Sequence, residues 1–246
     1  KFMCKVSIGK QDYESLIKSG CFYVDKTYFI KEWWESQDDV TLIIRPRRFG
    51  KTLNMSMLEC FFSNKYAGRG DLFEGLSIWN DEKYRQLQGT YPVIFISFAE
   101  IKANNFKDTK NDMVSVINDI YKQHSYLLED DMLTDAANRY LLKGDLLSDN
   151  EKEQFVNVKA NMNSIGVVDA IKLLAGYMER YYGKKVIILI DEYDVPLDKA
   201  FQNGYYREMV SLIRAMFGDA LKTNDFLQFA VLTGCLRVSK ESIFTG

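Results

Sequence analysis

VTLIIRPRRFGKTLNMSML, from Val40 to Leu58, decides the fold. VTLIIR reads as a short strand, because β-branched and apolar residues crowd together with no helical spacing. After it, Leu53, Met57, Leu58, Phe61 and Phe62 share one face of a helix. Between the two lies a loop made of Pro46, Arg47, Arg48, Phe49, Gly50, Lys51 and Thr52. A strand that turns through a loop into a helix N-terminus is a natural phosphate site, since free N–H groups and the positive end of the helix dipole face the anion. Gly50 lets the backbone approach without a Cβ in the way. Lys51 is expected to reach β/γ-phosphate oxygens as a point charge, and the Thr52 hydroxyl to ligate Mg²⁺. The usual pattern is GxxxxGK[ST], and here Arg45 stands at the first glycine. Gly-Lys-Thr by itself also describes a basic surface turn. The flanking strand and helix are what favour phosphate.

Three further strands are expected at PVIFISF (Pro92 to Phe98), VIILID (Val186 to Asp191) and FLQFAVLT (Phe226 to Thr233). Three of the four are nearly continuous apolar runs, which suits strands buried on both faces of a parallel sheet. Ile171, Leu174, Met178 and Tyr181 form a helical face that Gly183 should terminate. Strand and helix in alternation imply an α/β fold. No Pro/Gly/Ser-rich linker or repeat divides 1–246, so one continuous domain is the simplest reading. The polar stretch 104–163, with MVSVINDIYKQ and LTDAANRYLL as amphipathic pieces, is read as a helical insertion between the second and third strands. Equally, it is part of the core helical layer.

The third strand runs into VIILIDEYD. Asp191, closing a buried strand beside the first, is placed to hold Mg²⁺ through water, and Glu192 to polarise an attacking water as general base. Thr233 closes the fourth strand as a polar group that can contact the γ-phosphate or the water. Each feature taken singly is a strand ending in solvated side chains. Together they fall at the carboxyl ends of parallel strands, where ligands bind, and they describe a Mg²⁺-dependent nucleotide site. Arg47 and Arg48 either clamp phosphate or face solvent. Arg237 supplies a positive group to the γ-phosphate, in cis or to a neighbouring subunit, or makes a surface salt bridge. Asp194 is read as orienting Lys or Arg side chains.

Composition excludes several other classes. Among 246 residues, 32 Lys plus Arg against 34 Asp plus Glu leave a net charge of −2, with no footprint for general nucleic-acid or anionic-membrane binding. The single histidine, His124, rules out multi-His zinc sites, and it is expected to face solvent. Cys4, Cys21, Cys60 and Cys235 are scattered without a CxxC pair, as in a reduced cytoplasm, and read as isolated buried thiols. No apolar run approaches the roughly 20 residues of a membrane-spanning helix. A nuclease reading rests only on the Glu100-Ile101-Lys102 triplet.

IGKQDYESLIKSGCFYVDKT, RPRRFGKT, YPVIFISF, KKVIILIDEYDVPL and LTGCLRVSKESIFTG resemble the bacterial AAA-ATPase-like family, among the additional-strand P-loop ATPases related to the AAA+ and STAND groups. The resemblance covers nearly the whole chain, and Arg45 is then a family feature. It implies a three-layer α/β/α P-loop fold with sheet order 5-1-4-3-2. It also implies ATP and Mg²⁺ at Lys51, Thr52 and Asp191, Glu192 as base, and Thr233 at the sensor position. Tyr23, Asp25 and Lys26 in FYVDKT match a box that cradles adenine. The expected activity is an ATPase or ATP-driven switch, or alternatively a nucleotide-binding interaction module with little hydrolysis. A protein partner or self-association is expected, and nucleic acid only through a further C-terminal domain. Family members continue past SIFTG into a fifth strand and often a nuclease-type domain. The end at Gly246 therefore reads as a core without that continuation, its sheet edge open.

Overall fold

Val186–Asp191 forms β3, and every one of its six residues is buried. A strand needs that much apolar character only at the centre of a covered sheet. Its neighbours are β2 (Val93–Ser97) and β4 (Leu227–Gly234), while β1 (Val40–Ile44) pairs with the far side of β4. The order is β1-β4-β3-β2 and all pairs are parallel. β1 is an edge strand, so its residues are only half-buried. This computed structural model describes residues 9–128, 146–160 and 166–235.

Alternate residues of the strands feed two cores. Ile187, Leu189, Phe229 and Val231 point to a layer built from α1 (Tyr13–Lys18), α2 (Tyr28–Ser36) and α3 (Lys51–Phe62). This layer is aromatic: Trp34 stacks on Phe62 at 5.2 Å, and Phe61 meets Phe73 edge-on at 5.1 Å. A short α4 (Glu82–Leu87) completes that side and buries Tyr84. Ile94, Ile96, Ile188, Ile190 and Leu232 point the other way. There they meet α5 (Phe106–Gln123), α6 (Asp149–Ala160) and α7 (Gly166–Tyr182), followed by α8 (Val195–Asn203) and α9 (Tyr206–Phe217). The result is a three-layer α/β/α fold. Within 104–163, α5 buries Met113, Ile117 and Ile120 against the sheet, and α6 adds Phe155 and Val158 to the same core. The LTDAANRYLL piece lies outside the described residues.

Gly50 opens α3 from a left-handed backbone at φ 74°, and Gly183 closes α7 at φ 63°. His124 is half-buried rather than solvent-facing. It caps the C-terminus of α5, where its Nδ1 lies 3.0 Å from the Tyr126 hydroxyl, which in turn accepts from Tyr182 at 2.8 Å. Burial there pushes the imidazole down to about 4. Among the described residues, no helix is long and apolar enough to cross a membrane.

Candidate functional site

Parallel pairing brings the polar strand ends together. Thr233 pairs with Ile43 and Gly234 with Ile44, while Ser97 is level with Asp191. The loop after β1, the acidic residues after β3 and the end of β4 therefore share the carboxyl end of the sheet. The Arg45 amide donates to the Gly234 carbonyl at 3.2 Å and carries the β1–β4 pairing into the loop.

Lys51 is only 5% exposed, so its ammonium must find partners inside the protein. Its Nζ donates to the Arg45 carbonyl at 2.9 Å, the Pro46 carbonyl at 3.3 Å and Cys235 Sγ at 3.1 Å. Glu192 Oε1 lies 3.8 Å away. Lysine and acidic strand thus face each other across the site. Thr52 follows in the first turn of α3 and is half-buried. Arg45, Pro46, Arg47, Arg48 and Phe49 form an exposed rim, with Arg48 in the left-handed region at φ 69°.

Asp191 is fully buried. Its Oδ1 accepts from the Thr233 hydroxyl, whereas Oδ2 is buried with no hydrogen-bond partner among the described residues. An acceptor left so is costly, and it marks a position that suits a cation. Glu192 sits in the left-handed region at φ 54°, and its amide donates to Thr233 Oγ1 at 3.4 Å. Burial raises its carboxyl above the usual range; the nearby Lys51 and Arg47 charges oppose that rise, and Asp191 and Asp194 add to it.

The FYVDKT segment lies close by. Lys26 Nζ is 3.7 Å from the point where a Cβ on Gly50 would stand. The Tyr23 hydroxyl donates to Met57 Sδ at 3.3 Å and accepts from the Lys26 amide at 3.3 Å, so it braces α3. The Asp25 carboxylate is occupied locally, accepting from the Thr27 amide at 2.8 Å, the Thr27 hydroxyl at 2.7 Å and the Ser77 amide at 2.8 Å. Arg237 lies outside the described residues. Glu100 and Lys102 pair with each other at 2.9 Å, their side chains 85% and 79% exposed, as a solvated ion pair. Among the described residues, no three His, Cys, Asp or Glu side chains gather so as to hold a metal by themselves.

One participant, Cys235, carries no site signal in the sequence beyond its position, and one, Asp194, makes a contact that the sequence does not show. Cys235 was read as an isolated buried thiol, yet it is half-buried and touches Lys51. Asp194, expected to orient basic side chains, accepts from the Cys235 amide at its Oδ2 at 2.7 Å. Their only sequence signal was position, directly after LTG and after the DEY triplet.

Comparison with known proteins gives a family. The family model described as Predicted AAA-ATPase matches residues 7–244. A protein of Azotobacter chroococcum mcd 1, described as an uncharacterized protein in the vnfD 5′ region, is 27% identical over 244 residues, which cover 98% of this chain. The match spans 39% of that relative's length. No solved structure matches.

Proposed function

The chain belongs to the predicted AAA-ATPase family, and from that premise we propose that it binds ATP with Mg²⁺ at the carboxyl end of its sheet and hydrolyses it. The observation that carries this reading is the buried Lys51 ammonium 3.8 Å from Glu192, beside the unpartnered Asp191 Oδ2. The residues fit the cation: Asp191 and Thr52 offer two oxygens, and Mg²⁺ bound with a nucleotide takes its remaining ligands from phosphate and water. When bound, the ion would neutralise developing charge on the phosphates.

The chain's own residues supply the rest. The α3 N-terminus, entered through Gly50, turns its free N–H groups toward the phosphates. Lys51 leaves the Arg45 and Pro46 carbonyls for phosphate oxygens, exchanging two dipoles for full negative charges. Glu192 aligns the attacking water and accepts its proton, and its raised carboxyl makes it the stronger base. Thr233 holds Asp191 in place through its hydroxyl.

Nucleotide binding and turnover by the purified chain test the reading. Lys51→Ala is expected to abolish ATP binding. Glu192→Gln is expected to bind ATP while turnover falls by about 10²–10⁴-fold. A Glu192→Gln protein that hydrolyses ATP at the wild-type rate would show that the base lies elsewhere. A second reading, binding without appreciable turnover, draws on the grip of the Arg45 and Pro46 carbonyls on Lys51. Tight ATP binding with undetectable turnover, until a partner protein is added, would favour it.

A further inference from the structure

We propose that Asp194 is a positioning residue that ties the end of β4 to the loop carrying Glu192 and so fixes the placement of the base; its kinetic consequence rests on the ATPase reading. Asp194 is 2% exposed and occupies the cap position before α8, where an aspartate ordinarily accepts from its own helix. Its side chain makes no such cap bond. Instead Oδ2 crosses to β4 and accepts from the Cys235 amide at 2.7 Å. A buried carboxylate that accepts from a backbone amide far along the chain joins two segments.

What it joins is the site. Cys235 Sγ lies 3.1 Å from Lys51 Nζ and 4.0 Å from Glu192 Oε2. Glu192 holds a left-handed backbone at φ 54°, a conformation that persists in a non-glycine residue only where the surroundings enforce it. The neighbouring stitches are neutral: the Glu192 amide to Thr233 Oγ1 at 3.4 Å, and the Tyr193 amide to the Thr233 carbonyl at 3.0 Å. The Asp194 bond is charge-assisted and shorter, so it is the strongest of the three. Gly234 permits the contact. A Cβ there would stand 2.6 Å from Tyr193 Cε1 and 2.9 Å from Asp194 Cγ and Oδ1. The two segments are thus packed to a distance that only glycine allows.

The test compares wild type with Asp194→Ala, Asp194→Asn and Gly234→Ala. Three quantities are measured: affinity for a fluorescent ATP analogue, MgATP turnover, and the rate of Cys235 alkylation by iodoacetamide without nucleotide, mapped by peptide mass spectrometry. Losing a hydrogen bond to a charged acceptor predicts that Asp194→Ala alkylates about tenfold faster at Cys235 and turns over about tenfold more slowly. KM should stay within about threefold, because the phosphate-binding groups are retained. Asp194→Asn keeps an accepting oxygen and should regain most of both properties. Gly234→Ala, which forces the segments apart from the other side, should reproduce Asp194→Ala and carries the test should that variant not fold. Unchanged Cys235 alkylation in Asp194→Ala and Gly234→Ala overturns the tie. Faster alkylation with unchanged kcat overturns the positioning role. Failure of wild type to bind the analogue overturns the ATPase reading instead, and the alkylation comparison still decides the tie.

Discussion

Burial of single ionisable groups is where this protein departs most from its sequence pattern. His124 has the clearest consequence. Its imidazole is pushed from 6.5 down to about 4 by burial, with a smaller push from Lys65. The unfolded chain takes up that proton more readily than the folded one. Stability is therefore complete above pH 6.5 and declines as pH falls toward 4. At pH 4.5 the loss is on the order of 2–3 kcal/mol. His124→Gln cannot take up the proton, so urea unfolding of the two proteins should show the variant gaining by about that amount, relative to wild type, between pH 7 and pH 4.5. Parallel pH profiles would mean that the imidazole is solvated. Nothing in KQHSYLLEDD signals this burial, because the covering hydroxyls come from Tyr126 and, 56 residues further on, Tyr182. The same applies to Cys235, whose partner Lys51 is 184 residues away. The groups whose placement could be read directly, Lys51, Asp191 and Glu192, are those whose position follows from where a strand ends or a helix begins.

Elements were legible in proportion to how far their residues follow one period. β3 is bounded as its apolar run predicts, and α7 stops at Gly183. β1, β2 and β4 are offset by a residue or so at their ends, where pairing rather than composition decides. The passage from α3 to β2 was opaque, because it is held by backbone returns instead of an apolar stripe. Gly89 donates to the Phe61 carbonyl, Tyr91 to Phe62 and Asn64 to Tyr91, each at 2.8 Å. Gly89 has φ 69°, and a Cβ there would meet Ala67 Cα at 2.5 Å and its amide nitrogen at 2.9 Å. Backbone cannot yield as a side-chain tip can. Gly89→Ala is accordingly expected to lower unfolding free energy by at least about 2 kcal/mol, read from the urea midpoint at unchanged slope. Gly68→Ala is the control for backbone conformation alone: φ is 77°, but nothing stands within 4 Å of its Cβ position. It should cost clearly less. Equal costs would mean that the Ala67 contact relaxes freely.

For the molecule as a whole, the sheet divides two cores, and the candidate site lies where both meet its carboxyl edge. Lys51 and Thr52 open α3 on the aromatic side, while Asp194 leads into α8 on the other. A nucleotide held by the loop and by the acidic strand end would add a further link between segments already joined through the sheet and through Lys51. It would bind the folded state alone, so its binding energy adds to global stability. At one hundred times its dissociation constant, MgATP should raise unfolding free energy by about 2.7 kcal/mol. For a chain of this size, that is a rise of about 5–10 °C in melting temperature. Lys51→Ala should lose the shift, because the phosphate grip goes with the ammonium. Glu192→Gln should keep the shift in full and hold it over time, because it binds the triphosphate without consuming it. Differential scanning fluorimetry of the three proteins across a MgATP series separates the grip from the chemistry. A wild-type melting curve unmoved at millimolar MgATP would remove the nucleotide from this site, and a shift of equal size in Lys51→Ala would move it elsewhere on the molecule.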